Sequence, residues 1–228
     1  MSDDLKSRGV AVLVSGGADS AILCVDLLRD FDRVFPLYVR FGLRWEAEEL
    51  ASLRRFLKGV NCPAIAELTV LDEPIAGVYG SHWSLTGDDV PDAVSNDESV
   101  YLPGRNLLLT AKAAVWCRLR RVEFLALGCL SSNPFPDSTQ DFFSLLEATV
   151  HQAVGGKLKI LRPFESLSKP EILRRGARLP LGDTFSCLAP VDGQHCGVCN
   201  KCAERQRGFR EAGVSDLTTY ASVLSPLS

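Results

Sequence analysis

The sequence predicts an α/β protein: a five-stranded parallel sheet with helices on both faces and a small metal-bound helical segment near the C-terminus. Two observations support this fold class. Short apolar runs alternate with helical patterns, which is the order expected of parallel strands joined by right-handed crossovers. Near the end of the chain, cysteines at short spacings then replace this alternation. We therefore predict an α/β domain over residues 1–180 and a metal-bound subdomain over residues 181–228.

The predicted strands are short apolar runs, at residues 9–14, 34–39, 64–70, 123–130 and 158–161. Pro36 weakens the second of these, because proline is rare inside a sheet. The predicted helices carry apolar residues at helical spacing, over residues 20–28, 45–57, 107–119, 139–154, 169–179 and 201–212. Residues 71–100 are rich in Gly, Asp, Ser and Pro and show no clear element. Such a long stretch is typical of a functional loop or a mobile lid.

Composition limits the classes of function. The 228 residues are 46% hydrophobic. They include 25 Lys and Arg and 28 Asp and Glu, which gives a net charge of -3. This balance argues against direct nucleic-acid binding through a broad basic surface. The N-terminal residues lack an apolar signal core, and no apolar run is long enough to span a bilayer. We expect a cytoplasmic protein without a membrane partner. The cysteines scattered along the chain should then be reduced and buried: Cys24, Cys62, Cys117 and Cys129.

Residues 15–20, Ser-Gly-Gly-Ala-Asp-Ser, follow the first strand and have the form of a pyrophosphate-binding loop. Gly16 and Gly17 permit a tight turn and expose backbone N–H groups to phosphate oxygens. The following helix N-terminus adds partial positive charge. Asp19 fits beside a polyphosphate if Mg²⁺ lies between them, or it caps the helix.

Four cysteines near the C-terminus have the spacing of a metal site. They are Cys187, Cys196, Cys199 and Cys202, in the pattern Cys-x8-Cys-x2-Cys-x2-Cys. Four thiolates form the tetrahedral set that structural Zn²⁺ uses, and they leave no open position for a substrate. A redox pair would need only two of them, and an iron–sulfur cluster remains an alternative on ligand count. The neighbouring His195 is predicted to support the site rather than to bind the metal.

The loop resembles the Ser-Gly-Gly-x-Asp-Ser motif of PP-loop ATP pyrophosphatases. Together with the cysteines it resembles the QueC family, the 7-cyano-7-deazaguanine synthases of queuosine biosynthesis. The resemblance covers almost the whole chain. It includes Pro-Gly-Arg-Asn at residues 103–106, Arg-Pro at 162–163, Lys-Pro-Glu-Ile at 169–172 and the cysteine segment from Thr184 to Phe209.

This resemblance implies ATP with Mg²⁺ as substrate, one structural Zn²⁺ per chain and a possible homodimer. It implies that 7-carboxy-7-deazaguanine is adenylated, that ammonia gives an amide, and that a second activation yields the nitrile. The implied ATP-binding residues are Val14, Ser15, Gly16, Gly17, Ala18, Asp19, Ser20 and Ala21. The implied catalytic or substrate-binding residues are Asp19, Arg44, Arg105, Asn106 and Lys169. Arg105 and Lys169 would neutralise phosphate or a carboxylate, while Asn106 is alternatively a helix cap.

Two segments depart from the family pattern. Residues 41–48 read Phe-Gly-Leu-Arg-Trp-Glu-Ala-Glu. Phe41, Leu43 and Trp45 therefore stand at the positions where the family that this chain resembles usually has Tyr, Gln and His. In residues 137–142, Thr139 stands at the position where the family that this chain resembles has an arginine. Both segments follow strands, at the edge where a substrate pocket forms. These changes favour an alternative: a related ligase that adenylates another carboxylate or joins a deazaguanine to another molecule or protein.

Two further classes compete with these enzymes. A tRNA-modifying PP-loop enzyme would need an RNA-binding surface, which the near-neutral charge disfavours. A non-catalytic nucleotide-binding protein is disfavoured by the intact loop at residues 15–20.

Overall fold

The computed structural model describes residues 9–130 and 133–222. Its centre is a five-stranded, fully parallel sheet in the order β3-β2-β1-β4-β5. The strands are β1 (Gly9–Leu13), β2 (Arg33–Arg40), β3 (Thr69–Asp72), β4 (Phe124–Ala126) and β5 (Lys159–Leu161). All five predicted strands are therefore present. The third begins later than predicted, since only an isolated bridge between Val34 and Ile65 precedes it.

Helices connect and cover these strands. They are α1 (Ala18–Asp26), α2 (Glu46–Val60), α3 (Ala76–Tyr79), α4 (Trp83–Thr86), α5 (Arg105–Leu119), α6 (Gln140–Val154), α7 (Lys169–Arg175) and α8 (Asn200–Ala212). The prediction for α7 extended too far: the helix ends at Arg175, followed by Gly176. A Cβ at position 176 would lie 2.4 Å from the Ile22 side chain, so glycine lets this end of α7 approach α1 closely.

Two hydrophobic clusters sandwich the sheet, because successive strand residues point to opposite faces. Val10 and Val12 of β1 belong to the cluster that contains residues of α1, α2, α7 and α8. Ala11 and Leu13 belong to the cluster that contains residues of α5 and α6. Helices thus cover both faces, as the sequence predicts, and the carboxyl ends of the strands form one open edge.

Pro36 lies inside an internal strand, and the register explains how the sheet tolerates it. Val34 N donates to Ala64 O, so the backbone N–H groups of alternate residues on β2 face the β3 side. Pro36 faces that same side, but the regular pairing with β3 begins only at Leu37 and Thr69. The missing N–H of Pro36 therefore removes no regular ladder hydrogen bond on that side.

Residues 71–100 are more ordered than the sequence indicates. They contain α3, α4 and a 3₁₀ turn at Asp97–Val100. The Trp83 ring stacks on Trp45 with centroids 5.7 Å apart. Asn200 donates through its side chain to Ser95 O at 2.9 Å. The segment therefore packs between the beginning of α2 and the beginning of α8.

The cysteine segment packs onto the rest of the fold, and its four cysteines belong to the same cluster as Ala11 and Leu13. The division of the chain at residue 180 stays a prediction. Among the residues described, no helix is both long enough and apolar enough to span a bilayer.

Candidate active site

The loop between β1 and α1 has the geometry of an anion-binding turn. Gly17 is the N-cap of α1, and no side chain caps that end of the helix. The first N–H groups of α1 thus keep their capacity to bind a ligand. Ser20 braces the turn, because Ser15 N donates to Ser20 Oγ at 3.1 Å and Ser20 Oγ donates to Gly17 O at 3.2 Å.

Gly16 is needed for both its conformation and its size. Its φ is +80°, a region that disfavours other residues. A Cβ at position 16 would also lie 2.9 Å from the carbonyl oxygen of Glu49. The loop therefore approaches α2 more closely than any side chain at position 16 would allow.

Two adjoining cavities open at this edge of the sheet. The larger, of about 280 Å³, reaches from the loop to α7, α8 and the cysteine segment. The smaller, of about 190 Å³, lies among the ends of β1, β2 and α5, and much of its wall is apolar. Both are lined by Ser15, Gly17, Asp19, Glu49, Arg105, Gly128 and Asn133. The glycine-rich loop thus faces a divided site, in which charged residues line both compartments and the smaller one also has apolar walls.

A chain of charges crosses the larger cavity. Lys169 Nζ lies 2.7 Å from Asp19 Oδ2 and 3.5 Å from Glu204 Oε1, and Glu204 Oε2 lies 2.5 Å from Lys201 Nζ. Burial lowers the pKa of Lys169, but the Asp19 and Glu204 carboxylates outweigh it and raise that pKa above the ordinary lysine value. Burial raises the pKa of Glu204, but Lys169 and Lys201 outweigh it and hold that pKa at about 2. Lys169 and Glu204 therefore both stay charged at neutral pH.

Arg105 lines both cavities, and Asn106 lines the smaller one. Arg105 Nε is buried without a hydrogen-bond partner among the residues described, and these residues offer the guanidinium no ion pair. A cation that lines a cavity without a close ion pair favours an anionic ligand. Asn106 is not a helix cap, since Gly104 holds that position. Its Nδ2 donates instead to Asp137 O at 3.0 Å.

Arg44 lies apart from the other predicted site residues. Its guanidinium donates to Thr86 O at 3.1 Å, and the residue is exposed and lines neither cavity. The three substituted positions of the same segment do reach the site. Trp45 lines the larger cavity, while Phe41 and Leu43 line the smaller one. Thr139 caps α6 by accepting from Phe142 N at 3.2 Å and lines neither cavity.

The four predicted metal ligands come together. The sulfur atoms of Cys187, Cys196, Cys199 and Cys202 all lie within 4.8 Å of one another, and all four residues are buried. The Cys196–Cys202 and Cys187–Cys199 sulfur pairs are 3.9 Å and 4.0 Å apart. A tetrahedral zinc ion with bonds of about 2.3 Å holds its sulfurs about 3.8 Å apart, so the cluster fits one such ion.

Backbone N–H groups point at these sulfurs, as expected around thiolates. Cys196 N donates to Cys187 Sγ at 3.2 Å, and Cys199 N donates to Cys196 Sγ at 3.3 Å. An iron–sulfur cubane attaches each cysteine to a different iron, which spreads the ligands around a larger body than one ion. The close packing of the four sulfurs therefore favours a single metal ion.

The cysteine segment is joined directly to the phosphate-binding loop. Phe185 N donates to Gly16 O at 2.8 Å, two residues before the first cysteine. Ser186 N donates to His195 Nε2 at 3.2 Å, so His195 supports the segment from a buried position, as predicted. The N-cap of α8 is Cys199, which places Lys201 and Glu204 at the larger cavity. The cysteine cluster thus lies beside both a loop and a helix of the site.

Sequence patterns did not reveal Glu49, Tyr38 or Glu204 as site residues. Tyr38 Oη donates to Glu49 Oε2 at 2.7 Å, and both residues are buried. The pKa of Glu49 is raised to about 8, mainly by burial, against the lowering effect of the Tyr38 hydrogen bond and of Arg105. The one available signal was a tyrosine in a strand otherwise rich in apolar residues, which does not identify its partner.

Comparisons with known proteins agree along nearly the full chain. A family model described as queuosine biosynthesis protein QueC matches residues 9–213. A 7-cyano-7-deazaguanine synthase from Stutzerimonas stutzeri (strain A1501) is 31% identical over 227 residues, which covers 95% of this chain and 100% of that protein. Another from Novosphingobium aromaticivorans is 34% identical over 223 residues, which covers 92% of this chain and 93% of that protein.

Among solved structures, the U34-tRNA thiolase NcsA from Methanococcus maripaludis, which contains a 4Fe–4S cluster, has a similar fold. Its TM-score is 0.51 at 13% identity, covering 92% of this chain and 68% of that one. The likeness concerns the fold alone. The extent of the family match and the full-length similarity of the relatives decide the family: the chain belongs to the QueC family of queuosine biosynthesis proteins.

Proposed function

We propose that the protein converts 7-carboxy-7-deazaguanine and ammonia into 7-cyano-7-deazaguanine, with ATP as the activating substrate. The observation that carries this proposal is one larger cavity that the phosphate-binding loop, Arg105, Lys169 and the cysteine segment line together. Such a cavity offers donors for phosphate and a cation for a carboxylate. The family match and the full-length synthase relatives supply the chemical class.

The loop side of the site suits ATP. The free N–H groups at the start of α1 suit phosphate oxygens, and the apolar wall of the smaller cavity suits a flat heterocycle. Asp19 Oδ1 is buried without a partner among the residues described, which leaves an oxygen for the Mg²⁺ that accompanies ATP. Lys169 holds the other oxygen of the same carboxylate.

The reaction then proceeds in three displacements. A carboxylate oxygen of the substrate attacks the α-phosphorus of ATP, and pyrophosphate leaves. Ammonia attacks the acyl carbon, and AMP leaves to give the amide. The amide oxygen attacks the α-phosphorus of a second ATP, and pyrophosphate leaves. Elimination of AMP, with loss of the two nitrogen-bound protons, then gives the nitrile. Arg105 and Lys169 stabilise the negative charge that these steps place on phosphate and carboxylate oxygens.

We assign one Zn²⁺ to the four cysteines. The donor set, the sulfur separations and the backbone N–H groups aimed at the sulfurs all fit this ion. With four protein ligands it has a structural role, and it organises the residues that carry Phe185, Lys201 and Glu204 to the site. Binding as a homodimer stays an expectation from the family resemblance, and size-exclusion chromatography with light scattering tests it.

One observation favours a second candidate, a ligase for a different carboxylate. Phe41, Leu43 and Trp45 are 2%, 7% and 5% exposed, and they line the cavities with apolar surface. The family pattern has polar residues at these three positions. A pocket that loses hydrogen-bonding groups discriminates among substrates differently. The two candidates share the adenylation step and differ in the acid that starts it.

Carboxylate-dependent exchange of labelled pyrophosphate into ATP separates them. With 7-carboxy-7-deazaguanine we expect exchange well above that with benzoate or with no acid. Exchange that does not depend on 7-carboxy-7-deazaguanine, in a preparation loaded with zinc, would reject the primary proposal. Exchange with another acid alone would support the second candidate.

A further inference from the structure

Glu49 occupies a position between the two compartments of the site. It lines both cavities together with Asp19 and Arg105, and it is 7% exposed. The carbonyl oxygen of the same residue limits position 16 of the phosphate-binding loop to glycine. Any group activated on that loop therefore lies near this part of α2.

The surroundings of Glu49 differ from those of the nearby Glu46. Glu46 accepts from Phe41 N at 2.5 Å and Gly42 N at 2.8 Å, so its carboxylate holds the turn before α2. Glu49 accepts instead from the Tyr38 hydroxyl, and a side-chain hydrogen bond from Trp45 also lowers its pKa. Among the residues described, no backbone N–H group donates to its carboxylate. A structural role for Glu49 would leave unexplained why an acid, costly to bury, lines a substrate cavity.

The proposed reaction contains a proton transfer that needs a proton acceptor in the site. Ammonia is mostly ammonium at neutral pH, and ammonium has no free electron pair with which to attack. Lys169, Lys201 and Arg105 are cations. Asp19 and Glu204 are each paired with a lysine at 2.7 Å and 2.5 Å. Asp97 lines the larger cavity but is exposed, and Glu46 lines the smaller one but accepts from two backbone N–H groups. Among the residues described, Glu49 is the buried acid of this site with neither an ion pair nor a backbone N–H donor to its carboxylate.

We propose that Glu49 is the general base that accepts a proton from the nitrogen nucleophile attacking the acyl adenylate. This inference rests on the proposed function. As the carbon–nitrogen bond forms, the bond between the acyl carbon and the phosphate oxygen breaks, and AMP leaves with the electron pair. The proton that the nitrogen loses passes to the Glu49 carboxylate, and Tyr38 holds that carboxylate toward the cavities. A base with a pKa of about 8 is well matched to this transfer at neutral pH.

Two half-reactions and two nucleophiles test the proposal. The Glu49→Gln variant keeps an acceptor for Tyr38 but accepts no proton. We expect its 7-carboxy-7-deazaguanine-dependent pyrophosphate exchange to stay close to that of the wild-type enzyme. Its amide formation from ammonium chloride at pH 7 should fall on the order of 100-fold. With hydroxylamine, which is largely unprotonated at pH 7, the loss should shrink to less than about tenfold.

The Tyr38→Phe variant supplies a second readout. The Tyr38 hydrogen bond lowers the pKa of Glu49, so its removal should move the acidic limb of the pH–rate profile for amide formation to higher pH. The other groups that face Glu49 are Glu46 on the same helix, Trp45 before it, Arg105 on α5 and Asp19 on α1. All of them are unchanged in this variant.

Each outcome decides one of the two proposals. Normal amide formation by Glu49→Gln, or an equal loss with ammonium and hydroxylamine, would overturn the role of Glu49 alone. Loss of exchange in Glu49→Gln would likewise overturn it, because the residue would then act in adenylation or folding. Absence of exchange in the wild-type enzyme would overturn the proposed function, and the role of Glu49 would fall with it.

Discussion

Lys169 Nζ lies 2.7 Å from Asp19 Oδ2, although the two residues are 150 positions apart. The contact joins the phosphate-binding loop to α7. Through Glu204 and Lys201 it continues to α8, whose N-cap is one of the clustered cysteines. The ion pair therefore links the glycine-rich loop to the helix that begins at the cysteine cluster.

Replacement of Asp19 tests the first partner of this pair. Asp19→Ala should retain the fold but lose turnover by on the order of 100-fold, because the phosphate and Mg²⁺ arrangement loses its carboxylate. Initial rates with ATP and circular dichroism measure the two effects. Asp30→Ala, an exposed carboxylate after α1, is the control and should be neutral. A near-normal rate for Asp19→Ala would remove this residue from the mechanism.

Glu204→Gln tests whether the charge chain positions Lys169. The variant keeps the shape of the side chain but weakens its hold on both lysines, so we expect kcat to fall about tenfold. The measurement is kcat and the KM for ATP across pH 6–9. Glu211→Gln, an exposed change on the same helix, is the matched control. Equal kinetics for the two variants would mean that Glu204 contributes only to packing.

Cys199→Ser tests the metal assignment. Loss of one thiolate from a buried set should reduce bound zinc and lower the free energy of unfolding by several kcal/mol. Elemental analysis and chemical denaturation give the two quantities. Cys62→Ser, which changes a cysteine outside the cluster, should alter neither by much. Full zinc content in Cys199→Ser would contradict the assignment.

Arg105→Ala tests recognition of the substrate carboxylate. Arg105, whose Nε is buried without a hydrogen-bond partner among the residues described, should contribute about 2–3 kcal/mol through an ionic hydrogen bond, so the KM for the acid should rise on the order of 100-fold. Steady-state titration of the acid at saturating ATP measures the change. Arg54→Ala, an exposed arginine on α2, is the control. An unchanged KM for the acid would mean that its carboxylate does not bind at Arg105.

The raised pKa of Glu49 also predicts how stability depends on pH. Burial raises this pKa to about 8 from an ordinary value of 4.5, so the folded state holds a proton that the unfolded state releases. The contribution of Glu49 protonation to the free energy of unfolding is fully present below about pH 4.5 and is lost as pH rises toward 8. Glu49→Gln removes this dependence. Between about pH 4.5 and 8, the free energy of unfolding of the variant should rise relative to that of the wild type by up to about 1.4 kcal/mol per pH unit.

Urea denaturation at several pH values between 5 and 9 measures this difference. The exposed change Glu67→Gln should show no such trend. A difference between Glu49→Gln and wild type that is constant with pH would mean that the pKa of Glu49 is ordinary.

Most of the sheet could be predicted because parallel strands that are buried on both faces consist of consecutive apolar residues. The third strand and the ends of the helices could not be placed as well. The pairing of Val34 with Ile65 and the close approach of Gly176 to Ile22 are tertiary contacts. The short helices α3 and α4 were also missed, since packing such as that of Trp83 on Trp45 orders them rather than helical periodicity.

The parts of the site that lie in contiguous motifs were visible in the sequence. The cysteine cluster forms as expected, and the glycine loop has the predicted turn. The ion pair of Lys169 with Asp19 and the hydrogen bond of Tyr38 with Glu49 join distant segments, so no spacing rule reveals them. Arg44 shares a motif with pocket residues, yet its side chain turns toward Thr86.

The most direct test of the central claim is a mass-spectrometric assay of the zinc-loaded protein with ATP, Mg²⁺, ammonium and 7-carboxy-7-deazaguanine. We expect 7-cyano-7-deazaguanine to appear with AMP and pyrophosphate, in a ratio of two ATP consumed for each nitrile formed. No amide or nitrile from protein that binds both ATP and zinc would contradict the account and would assign the apolar pocket wall at Phe41, Leu43 and Trp45 to a different acid.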